Sequence, residues 1–289
     1  MLTEHALKLG ESWSLNYARE PAHGPPLLFL HGVLRCWQDF LPLMPTLSLR
    51  WQVNALDFRG HGRSAPRIFH YRVRDYVEDA EGFLLHTCPA PAVVCGHSLG
   101  AMVALAAAAG PAAGRCRALI LEDPPFGTMG SRMRQTVFHS QFVGMAPLAG
   151  SGRDVAEVAR ALAEIRLTTP GSPRAERLGD LRDAASLRFS AHCLKRVDRD
   201  VFTPILAGEW LDGYDLEAIL SRVRCPVLLL QGDPSAGGML RDDDVDLLVS
   251  LLDCTHVRLA NVGHLIHQTQ TETAVQLLTA FLESLREDD

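Results

Sequence analysis

The chain has 289 residues, 47% of them hydrophobic, enough for the core of one large domain or of one domain carrying an insertion. Its net charge is −6 with acids and bases interspersed, which excludes a basic nucleic-acid stripe, so no nucleic-acid partner is expected. Seven cysteines without a Cys-x-x-Cys pair exclude the usual zinc-finger and redox spacings and suit small buried residues in a reducing compartment.

In chain order, the N-terminus Met1-Leu2-Thr3-Glu4-His5 lacks the basic segment and apolar run of a signal peptide. Residues 6–9 and 12–18 read as an antiparallel pair joined at Gly10-Glu11. Short apolar runs follow at 27–30, 53–56, 92–95, 118–121, 227–230 and 256–259, each suited to a strand buried on both faces. Helical patterns lie between and after them, at 37–47, 74–86, 99–109, 242–252 and 271–285. The apolar run 102–109 is too short to span a bilayer. We therefore expect a soluble cytoplasmic protein with no membrane partner.

Alternating strands and helices imply right-handed crossovers and an α/β fold, a mostly parallel eight-stranded sheet flanked by helices. The alternation breaks after the sixth strand. Residues 124–224 show helical periodicity and no convincing buried strand, and are punctuated by Gly127, Gly130, Gly144, Gly150, Gly152, Pro170, Gly171 and Pro173. We expect a helical cap over 124–224, with 1–123 and 225–289 forming the core, because the insertion follows a strand whose carboxyl end can face a ligand.

The strand at 92–95 runs into Gly96-His97-Ser98-Leu99-Gly100 and then an alanine-rich helix. This strand-turn-helix is the context that a G-x-S-x-G nucleophile turn requires. Side chains at Gly96 and Gly100 would collide with the neighbouring strand and helix, and the helix start directs amides at a developing oxyanion. A serine that merely caps a helix is the plainer alternative. The turn His31-Gly32-Val33 after the first parallel strand can offer the Val33 amide as one oxyanion donor, with the Leu99 amide as the other. His31 reads as a structural histidine. Asp57-Phe58-Arg59-Gly60-His61-Gly62-Arg63-Ser64 suits a tight, internally bonded loop. A metal at Asp57 and His61 would lack a third clustered ligand, and no metal is expected.

The His-Gly turn, the DFRGHGRS segment, the GHSLG elbow and the late Asn261-Val262-Gly263-His264 resemble the α/β-hydrolase superfamily, in its usual order and over most of the chain outside the insertion. The resemblance implies a Ser-acid-His triad and no cofactor. It implies His264 as the base, on the loop after the last strand, in preference to His267, which reads as a satisfied or surface histidine opening the final helix. The acid departs from the commonest pattern. Ser235 stands where G-x-x-D would place an aspartate after the seventh strand, and Asp233 comes two residues early. Asp123, 25 residues after Ser98 at the end of the sixth strand, matches the placement in certain lipases and haloalkane dehalogenases. Asp123 is the first choice and Asp233 the second.

A serine nucleophile implies an acyl-enzyme, and argues against the aspartate-based dehalogenase and epoxide-hydrolase chemistries. The expected activity is cleavage of a small-molecule carboxylic ester or lactone. Phe126, Met129, Met133, Phe138, Phe142, Met145, Phe189, Phe202, Trp210 and Tyr214 supply cap core and part of a cleft wall. Arg132, Arg134, Arg188, Arg196 and Arg199 are candidates for an anionic group, with a solvated face as the plainer reading. The same scaffold also suits a ligand-binding receptor-like member, an acyltransferase, a cofactor-free haloperoxidase or oxygenase, or a carbon–carbon hydrolase.

Overall fold

The computed structural model describes residues 2–285 apart from Ser12, Pro21, Ala22, Ser131, Pro170, Ser172 and Pro173. Met1, the first residue of the expected strand at 12–18, and the breaks at Pro170 and Pro173 thus lie outside the described residues. The strands are β1 (Thr3–Lys8), β2 (Ser14–Arg19), β3 (Pro26–Leu30), β4 (Gln52–Leu56), β5 (Ala92–His97), β6 (Cys116–Glu122), β7 (Arg166–Thr168), β8 (Ala175–Arg177), β9 (Val227–Gly232) and β10 (Cys254–Leu259). Eight of them form one sheet in the order β1-β2-β4-β3-β5-β6-β9-β10. Within this sheet, among the described residues, the β1–β2 and β2–β4 pairings are antiparallel. From β4 to β10 the sheet is parallel.

The parallel strands are apolar without a break because both faces are covered. Successive side chains leave a strand on opposite faces. Leu28, Leu30, Val94, Leu119, Leu121 and Leu229 accordingly join one core cluster, together with helices Val73–Thr87 and Leu99–Ala107. Leu27, Phe29, Val93, Cys95, Ala118, Ile120 and Leu228 join the other, beneath Met44–Leu47 and Thr271–Ser284. Each fully buried leucine or phenylalanine contributes about 1.5–3 kcal/mol of transfer free energy.

Two expectations are corrected. The helix expected at 37–47 is a 3₁₀ turn, Trp37–Phe40, then a single helical turn, Met44–Leu47. Pro42 and Pro45 lack the amide a continuous helix needs there, and Pro45 instead sits at the start of the second piece, where no donor is required. The segment between β6 and β9 also contains strands. It is mainly helical, with helices Val137–Met145, Val155–Ala163 and Ala184–Leu194, but β7 and β8 form a two-stranded antiparallel ribbon apart from the main sheet. Three residues per strand with one buried side chain between them leave no buried apolar run to recognise. No helix among the described residues is long and apolar enough to cross a membrane.

Candidate active site

The loops that leave the carboxyl ends of β3, β5, β6, β9 and β10 meet over one end of the sheet, where parallel α/β folds bind ligands. Ser98 follows β5 with φ 54° and ψ −116°, a conformation that lifts its side chain off the sheet. Its amide donates to the Glu122 carbonyl at 2.9 Å, which ties the turn to β6. The tight turn needs its glycines: a Cβ on Gly100 would lie 1.9 Å from the Leu30 carbonyl oxygen, and one on Gly96 would lie 2.2 Å from the Gly100 carbonyl.

Asp123 follows β6, fully buried, at φ 46°. Its Oδ2 accepts from His264 Nδ1 at 2.6 Å and from the Met239 amide at 2.7 Å. Its Oδ1 accepts from the Gly232 and Leu240 amides at 3.0 and 3.2 Å. Burial alone would raise this carboxyl; the His264 bond and the Met239 and Gly232 amides outweigh it and hold Asp123 below the ordinary carboxylate range. Asp233 makes no bond to His264. Its carboxylate takes the Asn261 and Ser235 amides, at 3.0 and 2.9 Å, and the Ser235 hydroxyl at 2.7 Å. Those donors push it down to about 2 and commit it to the turn after β9. Ser235, the residue that breaks G-x-x-D, is therefore the partner that occupies Asp233.

The loop after β3 is braced from below. His31 Nδ1 donates to the Gly32 carbonyl at 2.7 Å, and its Nε2 accepts from the Phe58 amide at 3.1 Å. His61 Nδ1 donates to the Arg59 carbonyl, and its Nε2 accepts from the Leu34 amide at 3.1 Å. Each ring thus uses both nitrogens, and burial pushes them down to about 3 and about 4. Asp57 accepts from the Trp37 and Arg63 amides and from Asn16, so neither it nor His61 is free for a metal. Leu34 is held at φ 65°, and the Val33 amide has no acceptor among the described residues. The same holds for the Leu99 amide at the first position of its helix.

Two features of this site escape a linear reading. His97, inside the serine turn, is buried and neutral, pushed down to about 3 by desolvation; its Nε2 donates to the His264 carbonyl at 3.0 Å. The second is an acid–histidine pair beside the first. His267 is fully buried in the turn Ile266–Thr269, ahead of the final helix, and Nδ1 donates to Glu122 at 2.8 and 2.9 Å. Asp39 faces its other nitrogen at 3.5 Å. Burial alone would lower His267, but Glu122 and Asp39 hold it up to about 10. Asp39 also accepts from Arg35 Nε and Nη2, at 3.0 and 2.5 Å, and from Gln268. Arg35 reaches on to Ser190 Oγ at 3.1 Å, on helix Ala184–Leu194. The visible signal was adjacency: Glu122 and Asp123 stand side by side at the end of β6, and His264 and His267, three apart, each take one of them.

Ser98, His264 and Val33 line one cavity of about 830 Å³. Of the apolar residues singled out in the sequence, Met129, Phe138, Phe142, Met145 and Trp210 reach its wall. Phe126, Met133 and Phe202 pack in the core, Phe189 lies against the Arg35 guanidinium, and Tyr214 donates to the Met102 carbonyl. None of the five arginines singled out lines it; Arg132 pairs with Asp243, and Arg199 donates to the Ala149 and Gly150 carbonyls. The arginines on the wall are Arg35 and Arg182.

Among known proteins, the 2-(acetamidomethylene)succinate hydrolase of Mesorhizobium japonicum is 41% identical over 91 residues. That alignment covers 32% of this chain and 33% of that one, so the likeness spans about a third of the relative's length. The magnesium-chelatase 30 kDa subunit of Rhodobacter capsulatus is 28% identical over 279 residues, 91% of this chain and 88% of that one. In three dimensions, the crystal structure of E-2-(acetamidomethylene)succinate hydrolase superimposes with a TM-score of 0.74 at 22% identity, over 98% of this chain and 100% of that one. The enol-lactonase from Burkholderia xenovorans LB400 gives 0.70 at 17% identity, over 94% and 98%. At such identities the structural likeness speaks for the fold alone. The sequence profile of the alpha/beta hydrolase family matches residues 27–277, well over half of the chain, and the chain belongs to that family.

Proposed function

We propose that this protein is a serine hydrolase that cleaves a carboxylic ester or lactone through an acyl-enzyme on Ser98. The observation that carries the reading is the 2.6 Å bond to the buried Asp123 from His264, which lines the same cavity as Ser98. With Asp123 accepting from Nδ1, the lone pair of His264 is left on Nε2. In the reaction, Ser98 Oγ adds to the substrate carbonyl carbon as His264 Nε2 takes the hydroxyl proton. Negative charge gathers on the former carbonyl oxygen, and the Val33 and Leu99 amides are its donors. The tetrahedral species collapses, the carbon–oxygen bond to the leaving group breaks, and the proton passes from His264 to the departing alkoxide. Water then adds to the acyl-enzyme by the same route in reverse, and the acid is released. Asp123 stabilises the transient imidazolium; the three amides that bond it keep it ionised.

A fluorophosphonate probe tests this directly. The expected result is a single mass addition on the peptide that contains Ser98, absent in Ser98→Ala, together with a burst of nitrophenolate from a short p-nitrophenyl ester. Folded protein that takes up no probe and releases no nitrophenolate would overturn the reading. That outcome would favour a binding or assembly role instead, the reading supported by the near full-length likeness to a protein named as a chelatase subunit.

A further inference from the structure

Arg182 lies between the short helix Leu178–Leu181 and Asp183, the residue that caps helix Ala184–Leu194, and its side chain lines the cavity. The other guanidinium on that wall, Arg35, is neutralised by Asp39 and also bonded to Ser190. Arg182 has no such complement: among the described residues nothing accepts a hydrogen bond from its guanidinium and no carboxylate pairs with it. Desolvation and the nearby charge of Arg35 both work against its protonated form. Two carboxylates share the wall. Asp183 is committed to the Ser186 amide and hydroxyl, at 2.9 and 2.6 Å, and Glu176 lies on the exposed strand β8. The cavity wall also carries the apolar Phe138, Phe142, Leu178 and Trp210, beside polar Gln141, Thr169 and Ser186.

An arginine is a permanent cation, and its planar fork matches a carboxylate with two parallel hydrogen bonds. Leaving one half-buried without a counter-ion is costly, unless the counter-ion arrives with the ligand. Among the described residues, one guanidinium without a partner suits one carboxylate. We infer that Arg182 binds a carboxylate carried by the substrate, so that the ester or lactone opened at Ser98 is an anionic molecule with an apolar body. The inference rests on the serine-hydrolase reading above and adds the substrate class. A cavity of about 830 Å³ has room for such a molecule.

The experiment compares matched pairs: p-nitrophenyl hexanoate with the p-nitrophenyl half-ester of adipic acid, and phenyl hexanoate with 4-(hexanoyloxy)benzoate. One anionic member should exceed its neutral partner in kcat/KM by about 10- to 100-fold, mostly through KM, the worth of one charge-assisted contact. Arg182→Met should bring that ratio close to one, and Arg182→Lys should restore part of it. Equal handling of both members, with Arg182→Met shifting both alike, would overturn the inference and leave the hydrolase reading standing. If neither is cleaved and Ser98 stays unlabelled, the hydrolase reading fails by itself. Binding of octanoate against octanamide, followed by calorimetry, then decides for Arg182. Tighter octanoate binding that is lost in Arg182→Met supports the site, and equal binding of the two overturns it.

Discussion

At the scale of single residues, the two carboxylates that compete for His264 in the sequence have opposite surroundings in the fold. Asp123 is buried and bonded to the ring, whereas Asp233 spends its oxygens on Ser235 and Asn261. Asp123→Asn should therefore lower kcat about 10³- to 10⁴-fold with a smaller change in KM, because an amide in that place no longer fixes the tautomer that leaves Nε2 free. Asp233→Asn should keep kcat within about threefold and lower the melting temperature instead, by loosening the turn whose amides its carboxylate holds. Circular dichroism and steady-state kinetics on the two variants separate these outcomes; a kcat loss confined to Asp233→Asn would reverse the assignment. The serine turn and the His264 loop were legible as patterns because their signal is local, a strand, a glycine and a turn. The surroundings of the two candidate acids were not. They depend on the Met239 and Leu240 amides, more than a hundred residues along the chain, folding back over Asp123. Arg182 was invisible for a related reason: that no described residue complements its guanidinium is a property of the assembled cavity.

At the scale of elements, the loop after β3 is held in shape by residues from the loop after β4. His61 takes the Leu34 amide, and Leu34 sits in a left-handed conformation that a leucine does not choose unaided. His61→Ala would leave that amide buried and unpaired, at a cost of about 1–3 kcal/mol, and would free the neighbouring Val33 amide to move. We expect kcat to drop at least tenfold with KM little changed, the signature of an interaction made in the transition state. An equal fall for Asp57→Asn, which loosens the Trp37 end of the same loop, would show that the brace acts as one unit. Gly100→Ala tests the serine turn by overpacking. Its methyl would meet the Leu30 carbonyl on β3, and the loss should be about 3 kcal/mol or more, read from the urea midpoint. The parallel strands were readable because burial on both faces leaves a continuous apolar run. The 37–47 element was misread because its apolar spacing is helical while Pro42 and Pro45 break the ladder that spacing would need.

For the whole molecule, the same buried groups set how stability depends on pH. His31, His61 and His97 are held neutral inside the fold, with values pushed down to about 3, 4 and 3, against about 6.5 in an unfolded chain. As pH falls below about 6.5 the unfolded chain binds three protons that the folded one refuses, so stability is lost. Asp57 works the other way. Burial pushes it up to about 6, so the folded protein takes that proton before the unfolded chain does and recovers one of the three. Between about pH 6 and pH 4 these four groups together favour the unfolded chain by two protons, a contribution of about 3 kcal/mol for each pH unit. On the alkaline side His267 acts first, and above about pH 8.5 the thiols of Cys88, Cys254 and Cys116, which burial pushes up to about 11, 11 and 12, add to the loss. The folded value of His267 is raised to about 10, so the stability it contributes is complete below about 6.5 and is lost as pH rises through 10, at about 1.4 kcal/mol per unit. Stability should thus peak near pH 6.5 and fall on both sides of it. Urea midpoints measured from pH 4 to pH 10 check this, and replacing His61 by Gln should reduce the acid slope by the worth of one proton, about 1.4 kcal/mol per pH unit. A midpoint that stayed level from pH 6.5 down to pH 4 would mean that these histidines are not held neutral. The braces beneath the loop after β3 would then not be the neutral rings through which His31 and His61 accept the Phe58 and Leu34 amides.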